Sequence, residues 1–565
     1  MNPLDTIVAL IDGAQPFVGE FVPPSAPAPR AAPVEADAID QPTQTGVLEE
    51  SSQQAPQEAG EPSDDENLRL AFFPLTDVGN AERFRDRQRG KLIWCPAIGW
   101  LFWDGKRWCR DGADEKVKIA AHDTARLIQH EAKALAGSRW DVAKPARGNK
   151  PATMLSESLA AWGRASEAAA KLGAMREQAA PYLYVEPFAL DADPFLINCR
   201  NGTLVARRRG DGDCISFRPH DPRDLITKMM PVDYDPQATC PIYDDFIAFA
   251  QPEEANRRFL HQWGGLSLTG DVSEQLLVFF WGKGKNGKST LLVAWAEVAG
   301  DLARTVPIET FINEGRGRNA GQATPDLAML AGVRMVQASE PDRGAKLAEA
   351  LIKLATGGDP MQVRFLNRDY FTLKPVFKLT MSGNYRPRVE GADEGIWRRV
   401  RLVPWTVTVP EDRRDRHLPD KLRAEASGIL NRLLDGLRDW LEHGMIASAA
   451  VLEATAEYRR DSDPLGQFIE ACIKRETGAR IQSSELHRLF LAWAEVNAGP
   501  KWSAKGLTQA LHERGWKSKK SDASFWLDVR MTKSVNDFVD HEGMPLACNI
   551  DENQESREVI DDIEM

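Results

Sequence analysis

Eight residues that follow an apolar segment have the spacing of a loop that binds phosphate groups. Gly282 to Ser289 reads GKGKNGKS, which matches the pattern G-x-x-x-x-G-K-[ST]. Its glycines let backbone N–H groups turn toward phosphate oxygens, and the N-terminus of a following helix adds a partial positive charge. The segment therefore predicts a site for a nucleoside triphosphate. The alternative is a glycine-rich turn that binds nothing.

The polar residues of this loop have expected roles. Lys288 is expected to reach the β- and γ-phosphates from an exposed loop, and the Ser289 hydroxyl is expected to ligate Mg²⁺. ATP and Mg²⁺ are therefore the expected cofactors. The predicted nucleotide-binding residues are Gly282, Lys283, Gly284, Lys285, Asn286, Gly287, Lys288, Ser289 and Thr290.

A buried strand and a helix must position this loop. Residues 276–281 form an apolar run that is typical of a buried strand, and residues 290–298 contain no helix breaker. Residues 271–405 as a whole alternate strand and helix patterns. Such alternation predicts an α/β ATPase core.

Two further segments end in polar residues of the kind that ATP hydrolysis needs. Hydrolysis requires a carboxylate that orients the attacking water, normally at the end of a neighbouring strand. Glu340 follows the predicted strand of residues 332–339 and is the candidate, although strands often end in acids. Asn384 follows a second predicted strand, residues 376–382, where its amide could polarise the water or sense the γ-phosphate. An ordinary turn residue is the alternative for Asn384.

Basic residues near the same segments fit two further roles. Arg398 and Arg399 precede a predicted strand, residues 400–405, and either could be an arginine finger that reaches the γ-phosphate of a neighbouring subunit. A surface salt bridge is the alternative. Residues 361–375 have apolar flanks around a polar centre and predict a hairpin with Arg368 at its tip. A basic tip could grip a DNA backbone, or the hairpin could simply be exposed.

The charge of the chain is divided unevenly between its ends and its middle. The 565 residues carry a net charge of −12, but residues 1–66 carry −12 and residues 548–565 carry −6. The part between them therefore carries +6, which is compatible with a nucleic-acid partner. Residues 14–66 are rich in Pro, Ala, Gln and Glu and are expected to be disordered.

The composition argues against several classes of protein. No apolar run reaches the roughly 18 residues that a membrane span needs, and no signal peptide is visible at the N-terminus. The seven cysteines are scattered without a CxxC pair, which argues against a disulfide framework or a zinc knuckle. We expect a cytoplasmic protein of three or four domains without membrane contact.

The order of patterns predicts six regions along the chain. Between two acidic tails, an N-terminal α+β domain contains a tryptophan-rich hairpin, residues 92–110, whose rings either form a core or stack nucleobases. A helical extension follows the ATPase core, and a small basic module follows the extension. The boundaries are 1–66 and 541–565 for the tails, 67–236 for the N-terminal domain, 237–410 for the core, 411–460 for the extension and 461–540 for the module.

The C-terminal module is expected to resemble a winged helix. Residues 503–513 predict the recognition-type helix, and residues 525–529 predict a strand. Lys517, Lys519 and Lys520 lie in or beside the wing, where a basic segment can hold phosphates. The alternative is a packing module that contacts only protein.

Four motifs in this order closely resemble those of superfamily 3 helicases. They are GKGKNGKS, a strand ending in ASE, a TGGD segment with the hairpin and KP, and LTMSGN followed by IWRRVRLVPW. The most similar group is the helicase half of the phage and plasmid primase–helicases, of the satellite-phage type. The likeness extends over roughly residues 75–530 and includes GWLFWDGKRW, SDPLGQFIEACI and SSELHRLFLAWAE.

The resemblance implies a role for each residue that matches a motif. Glu340 is implied to be the Walker B acid, a metal ligand beside Ser289, and Asn384 the motif C sensor. Arg399 is the first choice for the finger because it immediately precedes the strand, with Arg398 as the alternative. The implied DNA-contacting residues of the hairpin segment are Lys353 and Arg368.

The resemblance also implies a fold and an assembly. The fold is an AAA+-like P-loop ATPase, and the assembly is a hexameric ring with ATP between subunits. Such a ring translocates 3′ to 5′ on single-stranded DNA at a replication origin or fork of a phage, prophage or plasmid. A separate primase is an implied partner. Two rival functions stay open: an ATP-switched initiator without processive unwinding, and a regulatory or defence NTPase.

The chain departs from the family's pattern in two places. Many members carry two adjacent acids at Walker B, whereas this chain has Ser339-Glu340. Either Glu340 serves both the metal and the water, or Asp342 contributes. Residues 1–66 are too short and too polar for the primase of the longer members, so we expect no primer synthesis.

Overall fold

The computed structural model describes most of the chain between the two tails. The chain divides into two compact units, Met1–Pro62 and Ser63–Met565, and every described residue lies in the second. Residues 1–63, Arg368 and nearly all of the region 541–565 lie outside the described residues, so the expectations about the tails and about Arg368 stay predictions. The described residues are 64–144, 152–207, 214–313, 323–366, 369–389, 394–497, 499–540 and 544–545.

Five helices form most of the N-terminal region. They are α1 (Asp64–Ala71), α2 (Asp77–Gln88), α3 (Ala113–Leu135), α4 (Leu155–Ser166) and α5 (Ala169–Ala179). Phe84, Val117 and Met175 lie fully buried in the core that α2, α3 and α5 share. The Arg83 guanidinium also pairs with Glu131 at 2.8 Å, and both side chains are fully buried. Burial of such a pair holds α2 and α3 in one geometry, because either charge alone would be costly to bury.

The tryptophan-rich segment forms the predicted hairpin and a short third strand. The antiparallel strands are β1 (Leu92–Cys95), β2 (Gly99–Trp103) and β3 (Trp108–Cys109). Asp104 closes the second turn by accepting two backbone N–H groups. Trp108 is 2% exposed, its Nε1 donates to the Pro222 oxygen at 2.8 Å, and its ring lies 5.7 Å from that of Trp103. These contacts favour a core role for Trp103 and Trp108 over base stacking.

Short strands lead from the N-terminal region to two helices. Strands β4 (Ala143–Lys144) and β5 (Thr153–Met154) pair with each other between α3 and α4. Strands β6 (Leu196–Cys199), β7 (Gly202–Ala206) and β8 (Ile215–Arg218) follow α5 and precede α6 (Pro241–Ala250) and α7 (Glu254–Leu266). Leu204 and Ile215 of these strands lie in the same hydrophobic core as Tyr243 of α6 and Trp263 of α7. One core therefore runs across the boundary expected at residue 236.

A five-stranded parallel sheet lies at the centre of the described chain, which is a mixed α/β architecture. The strands of this segment are β9 (Leu277–Trp281), β10 (Ala303–Thr305), β11 (Met335–Ser339), β12 (Met361–Val363), β13 (Phe371–Leu373), β14 (Lys378–Gly383) and β15 (Val400–Pro404). The order in the parallel sheet is β10-β11-β14-β9-β15, and β12 and β13 form a separate antiparallel hairpin. Trp281 pairs with Gly383 on one side and with Pro404 on the other, so three strands end at the same edge.

Side chains of β9 alternate between two hydrophobic cores. The helices around the sheet are α8 (Lys288–Ala299), α9 (Pro325–Ala328), α10 (Glu349–Gly357), α11 (Glu394–Trp397), α12 (Leu418–Ala424), α13 (Ala426–His443) and α14 (Ala449–Asp461). Val278 and Phe280 pack with α7, α8 and α13, whereas Leu277 and Phe279 lie in the second core. Neighbouring side chains of a strand point to opposite faces, so a strand buried on both faces needs an unbroken apolar run. The prediction of a buried strand here is confirmed.

The C-terminal module combines three helices with a three-stranded antiparallel sheet. Its elements are α15 (Pro464–Cys472), β16 (Ile473–Gln482), α16 (Ser483–Val496), α17 (Ala504–Glu513), β17 (Ser518–Lys520) and β18 (Ser524–Met531), with the sheet order β16-β18-β17. The Ser503 hydroxyl accepts from the Gly506 N–H at 3.1 Å and thereby begins α17. The predicted helix and strand of this module are confirmed, whereas β16 was not predicted. Across the described ranges, no helix combines the length and the apolarity that crossing a membrane would take.

Candidate functional site

The glycine-rich loop between β9 and α8 packs against the residue that follows β15. Asn286 Nδ2 donates to the backbone oxygens of Lys283, at 2.6 Å, and of Trp405, at 3.1 Å. A Cβ added to Gly282 would lie 2.2 Å from the Trp405 oxygen. Glycine is therefore required at position 282 for the close approach of two backbones, and Asn286 holds the loop in its shape.

Gly282→Ala should destabilise the fold, by on the order of 1–3 kcal/mol, because the new methyl group overlaps the Trp405 oxygen. Gly284→Ala is the matched control, since a Cβ at that position meets no atom within 4 Å. Thermal unfolding of both variants checks this, with a lower Tm expected for Gly282→Ala alone. Equal Tm values would contradict the packing of the loop against Trp405.

Two residues of the loop have left-handed backbone conformations. Gly287, the residue before α8, has φ of +87°, and Lys285 has φ of +64°. A Cβ on Gly287 would also lie 2.9 Å from the ring of Phe246. Glycine is therefore required at this position both for its positive φ and for the space beside Phe246. The Lys285 oxygen accepts from the Val409 N–H at 2.8 Å, which ties the loop to the segment after β15.

Lys288 is buried, with 4% of its surface exposed. Its Nζ donates to the Gly282 oxygen at 2.6 Å and to Asn286 Oδ1 at 3.1 Å. The expectation that this lysine projects from an exposed loop is therefore wrong, because the loop folds around the amine. Burial lowers the pKa of the Lys288 amine, and the nearby Glu340 carboxylate acts in the opposite direction.

The first turn of α8 presents two hydroxyl groups beside this lysine. Ser289 is exposed and Thr290 is half-buried. Helix N–H groups of a first turn have no partner within the helix and point toward its N-terminus, where anions bind. The turn thus supplies both backbone donors and oxygen ligands of the kind that Mg²⁺ takes.

Glu340 lies directly after β11 in a left-handed conformation, with φ of +59°. Its N–H donates to the Ser382 oxygen at 2.8 Å, and its side chain is exposed. A left-handed conformation costs a residue other than glycine about 1–3 kcal/mol, and such residues cluster at functional sites. Ser339 stands where many superfamily 3 helicases carry an acid beside the one that matches Glu340. Its hydroxyl lies 3.0 Å from the Ser382 hydroxyl. Glu340 and Ser289 both carry oxygen atoms of the kind that Mg²⁺ takes, and a metal site that they share stays a prediction.

Asn384 follows β14 at the same edge of the sheet. Its side chain is exposed, and its backbone oxygen accepts from Trp281 Nε1 at 3.2 Å. Ser382 pairs with Ser339 across the two neighbouring strands. The structure therefore places Asn384, Glu340 and the glycine-rich loop at the carboxyl ends of three adjacent parallel strands, where open α/β sheets bind ligands.

Arg398 and Arg399 lie at the opposite edge of the sheet. Val400, the first residue of β15, pairs with Leu277, the first residue of β9. At about 3.3 Å per residue, the length of β9 separates these arginines from the loop of their own subunit by roughly 13 Å. Neither side chain therefore lies beside the Lys288 of its own subunit.

The two arginines differ in what they contact. Arg399 is 8% exposed, and its guanidinium donates to Thr356 Oγ1 at 3.1 Å, to the Gly395 oxygen at 2.5 Å and to Gln275 Oε1 at 3.3 Å. Arg398 is exposed and has a longer contact, 3.4 Å, with Gln275. Arg399 is thus held by residues of its own subunit, whereas Arg398 is exposed, and the choice between them as the finger stays a prediction. Gln275 belongs to no motif, so its hydrogen bonds to the two arginines could not be predicted from the sequence.

The predicted hairpin is present as β12 and β13, with exposed apolar side chains near its tip. Leu366 is 72% exposed, and the Arg364 guanidinium lies 4.9 Å from the ring centre of Tyr370. Arg368 itself lies outside the described residues. Lys353 is half-buried on α10, before the hairpin. The strands support the predicted hairpin, while the contacts of Arg368 stay a prediction.

Exposed basic side chains lie on and beside strands β16 and β17 of the C-terminal sheet. Lys517, Lys519 and Lys520 are exposed in and before β17, as the sequence predicts. Arg480 of β16 joins them, since its guanidinium lies 4.8 Å from the ring centre of Phe525, the residue that pairs with Lys519. Sequence analysis missed Arg480 because the polar run of β16 gives little indication of a strand.

Comparison with known proteins finds similarity to one protein family and to several viral proteins. Residues 81–252 match the family described as “D5 N terminal like”. “Putative helicase L207/L206” of Acanthamoeba polyphaga mimivirus is 27% identical over 350 residues, which cover 58% of this chain and 36% of that protein. “Putative helicase 022R” of Frog virus 3 (isolate Goorha) is 26% identical over 306 residues, covering 51% of this chain and 30% of that protein. The chain spans about a third of the length of these relatives.

A solved structure shows a weaker likeness. The apo structure of the NrS-1 C terminal region is 10% identical, with a TM-score of 0.35, over 58% of this chain and 94% of that chain. A TM-score at this level fixes neither the fold nor the function of this chain. The family match and the viral relatives together support a D5-like family for it.

Proposed function

We propose that this chain is an ATP-dependent DNA helicase that translocates on single-stranded DNA during replication of a virus, phage, prophage or plasmid. The observation that carries the proposal is the meeting of the Lys288 loop, Glu340 and Asn384 at one edge of the parallel sheet. The viral relatives named as helicases add support from a separate direction.

The chemistry begins with the loop and the first turn of α8. Backbone N–H groups hold the phosphates, and the Lys288 amine exchanges the Gly282 oxygen for a phosphate oxygen. Ser289 and Glu340 would hold Mg²⁺, which neutralises developing charge on the phosphates when it is bound. Glu340 orients the attacking water, and Asn384 senses whether a γ-phosphate is present.

The finer assignment is a superfamily 3 helicase with an AAA+-like P-loop ATPase core. Arg398 and the Lys288 loop lie at opposite edges of the sheet, an arrangement that suits a nucleotide bound between neighbouring subunits of a ring, which we take to be a hexamer. The winged-helix-like module adds a second DNA contact through Lys517, Lys519, Lys520 and Arg480. A separate primase would supply primers, and the ring would act on origin or fork DNA in the cytoplasm of the host cell.

One experiment separates this proposal from its two rivals. The ATPase rate is measured with and without single-stranded DNA, and particle symmetry is determined under the same conditions. A ring whose turnover rises with DNA and which separates strands supports the helicase. ATP-dependent assembly on DNA without strand separation would instead indicate an initiator. Failure of every oligomeric form to bind DNA would indicate a regulatory or defence NTPase.

Arg368→Ala should lose both DNA unwinding and the stimulation of ATP hydrolysis by DNA. The reason is that the hairpin tip is proposed to contact the DNA backbone and to couple ATP hydrolysis to DNA movement. Turnover without DNA should fall far less than unwinding does. Loss of one phosphate contact per subunit should also flatten the salt dependence of single-strand binding by roughly one unit of slope per contact. Arg304→Ala, an exposed arginine on the edge strand β10, is the matched control. Normal unwinding by Arg368→Ala would show that the hairpin is not the gripping element.

A further inference from the structure

A cavity of about 200 Å³ lies beside the first two turns of α8, between that helix and α12. Ser289 and Thr290 line its end nearest to the glycine-rich loop. Val293 and Ala294 form the wall on α8, and Leu422 forms the wall on α12. The cavity therefore begins at the residues proposed to hold the phosphates and continues along the helix away from them.

The walls of this cavity are apolar and combine the exposed Val293 with Ala294 and Leu422, which belong to the hydrophobic core. Leu291, Leu292 and Trp295 point into the core and are at most 3% exposed. Val293 is 47% exposed, although a solvated helix face normally carries polar residues. An apolar side chain that borders a cavity and faces solvent is suited to contact with an apolar ligand surface.

An ion pair closes the far end of the cavity. Arg423 of α12 donates to the Glu297 carboxylate at 2.6 Å, and Glu297 also lines the cavity. The carboxylate has further lone pairs that can accept hydrogen bonds. The cavity thus combines apolar walls with one polar group at its end, as sites for small ring systems do.

We propose that this cavity holds the base of the nucleotide whose phosphates lie on the glycine-rich loop, an inference that rests on the proposed function. At about 1.5 Å per residue of helix, Val293 lies roughly 6 Å beyond Ser289, and Glu297 roughly 12 Å beyond it. The ribose and the α-phosphate bridge the first of these distances. A cavity of ~150 Å³ is enough for benzene in another protein, so this one accepts an aromatic ring.

The occupied cavity would join two parts of the chain that are far apart in sequence. The faces of the base contact Val293 and Leu422, and its edge amino or N–H groups donate to Glu297. Binding of the base would therefore fix α12 against α8. The position of α12, after β15, would then report whether a nucleotide is bound.

Val293→Gln tests the proposal by filling the cavity with a longer uncharged side chain. We expect binding of a non-hydrolysable ATP analogue to weaken by about tenfold or more, because burial of a base against apolar side chains contributes on this scale. Binding of inorganic tripolyphosphate with Mg²⁺, which has no base, should change by less than about twofold. Leu452→Gln on α14, 53% exposed, is the matched control for placing a glutamine on an exposed helix position.

A photochemical measurement needs no variant. An ATP analogue with an azide on the base, irradiated on the wild-type chain, should label peptides that contain residues 289–297 or 419–422. Labelling confined to other peptides, or unchanged binding of the ATP analogue to Val293→Gln, would overturn the proposal. Equal weakening of ATP analogue and tripolyphosphate would overturn it as well, since the cavity would then act on the phosphate loop. If the wild-type chain binds neither ligand, the proposed function fails, and the base site fails with it.

Discussion

Lys288→Ala should lower the rate of ATP hydrolysis by roughly 10³-fold or more, the loss expected when a cation that stabilises transition-state charge is removed. The Lys288 amine already lies within the glycine-rich loop, 2.6 Å from the Gly282 oxygen. No other residue of that loop combines a buried amine with a position at the start of a helix. The measurement is steady-state ATP turnover by the purified chain at saturating ATP and Mg²⁺.

Stability must be measured beside activity for this variant. Lys288 is 4% exposed and bonds to two loop oxygens, so its removal leaves those acceptors unpaired and lowers the free energy of unfolding. Thermal unfolding shows whether the protein that loses activity is folded. Lys501→Ala removes an exposed lysine that pairs with Glu495 in the C-terminal module, and it is the matched control for the loss of one charge. Near-normal turnover by a folded Lys288→Ala protein would contradict the assignment of the loop.

Local patterns were enough to predict the elements around the candidate site. The apolar run of residues 276–281, the glycines at 282 and 287, and the breaker-free segment of residues 290–298 give β9, the loop and α8. Each of these depends on neighbours in sequence, through alternation, backbone freedom or helix propensity. The strand before Asn384 was predicted for the same reason.

Contacts between distant segments could not be predicted in this way. The loop closes around Lys288 because Gly282 and Asn286 pack against Trp405, more than a hundred residues away in sequence. Arg399 is buried because Thr356 and Gln275 meet its guanidinium. No periodicity or spacing within the chain encodes such pairings. Exposure of charged residues was therefore the least predictable property of the site.

Backbone strain was a second property that sequence patterns do not contain. Glutamate has no preference for left-handed conformations, so nothing marked Glu340 for φ of +59°. The hydrogen bond from its N–H to Ser382 on the next strand helps to hold this geometry. Its position after a predicted strand was nevertheless visible, and the strained backbone strengthens the proposed role of Glu340 in orienting water.

Arg398→Ala should also lower ATP hydrolysis by roughly 10³-fold, the smaller end of what arginine fingers contribute, while ATP binding is retained. The side chain is exposed at the amino edge of the sheet, so we expect it to act on the nucleotide of a neighbouring subunit. Turnover and nucleotide affinity are measured on the same preparation. Loss of both together would indicate a structural role instead.

Arg399→Ala provides the comparison that the structure calls for. Its guanidinium bonds to Thr356, Gln275 and the Gly395 oxygen inside the subunit, so its removal should lower Tm. A folded Arg399→Ala protein of unchanged Tm that loses hydrolysis as fully as Arg398→Ala would restore Arg399 as the finger. A lower Tm with partial activity would agree with its burial.

Mixing Arg398→Ala protein with Glu340→Gln protein should restore part of the activity that each lacks alone. In a mixed ring, some sites combine the wild-type Glu340 of an Arg398→Ala subunit with the wild-type Arg398 of a neighbouring Glu340→Gln subunit. Such a site is complete only if the two residues act on one nucleotide from different subunits, which is what we propose from their places at opposite edges of the sheet. Subunit exchange is verified by energy transfer between differently labelled chains. If the subunits exchange and no activity returns, then Arg398 acts within its own subunit or has no part in hydrolysis, and the nucleotide does not lie between neighbours in the way proposed.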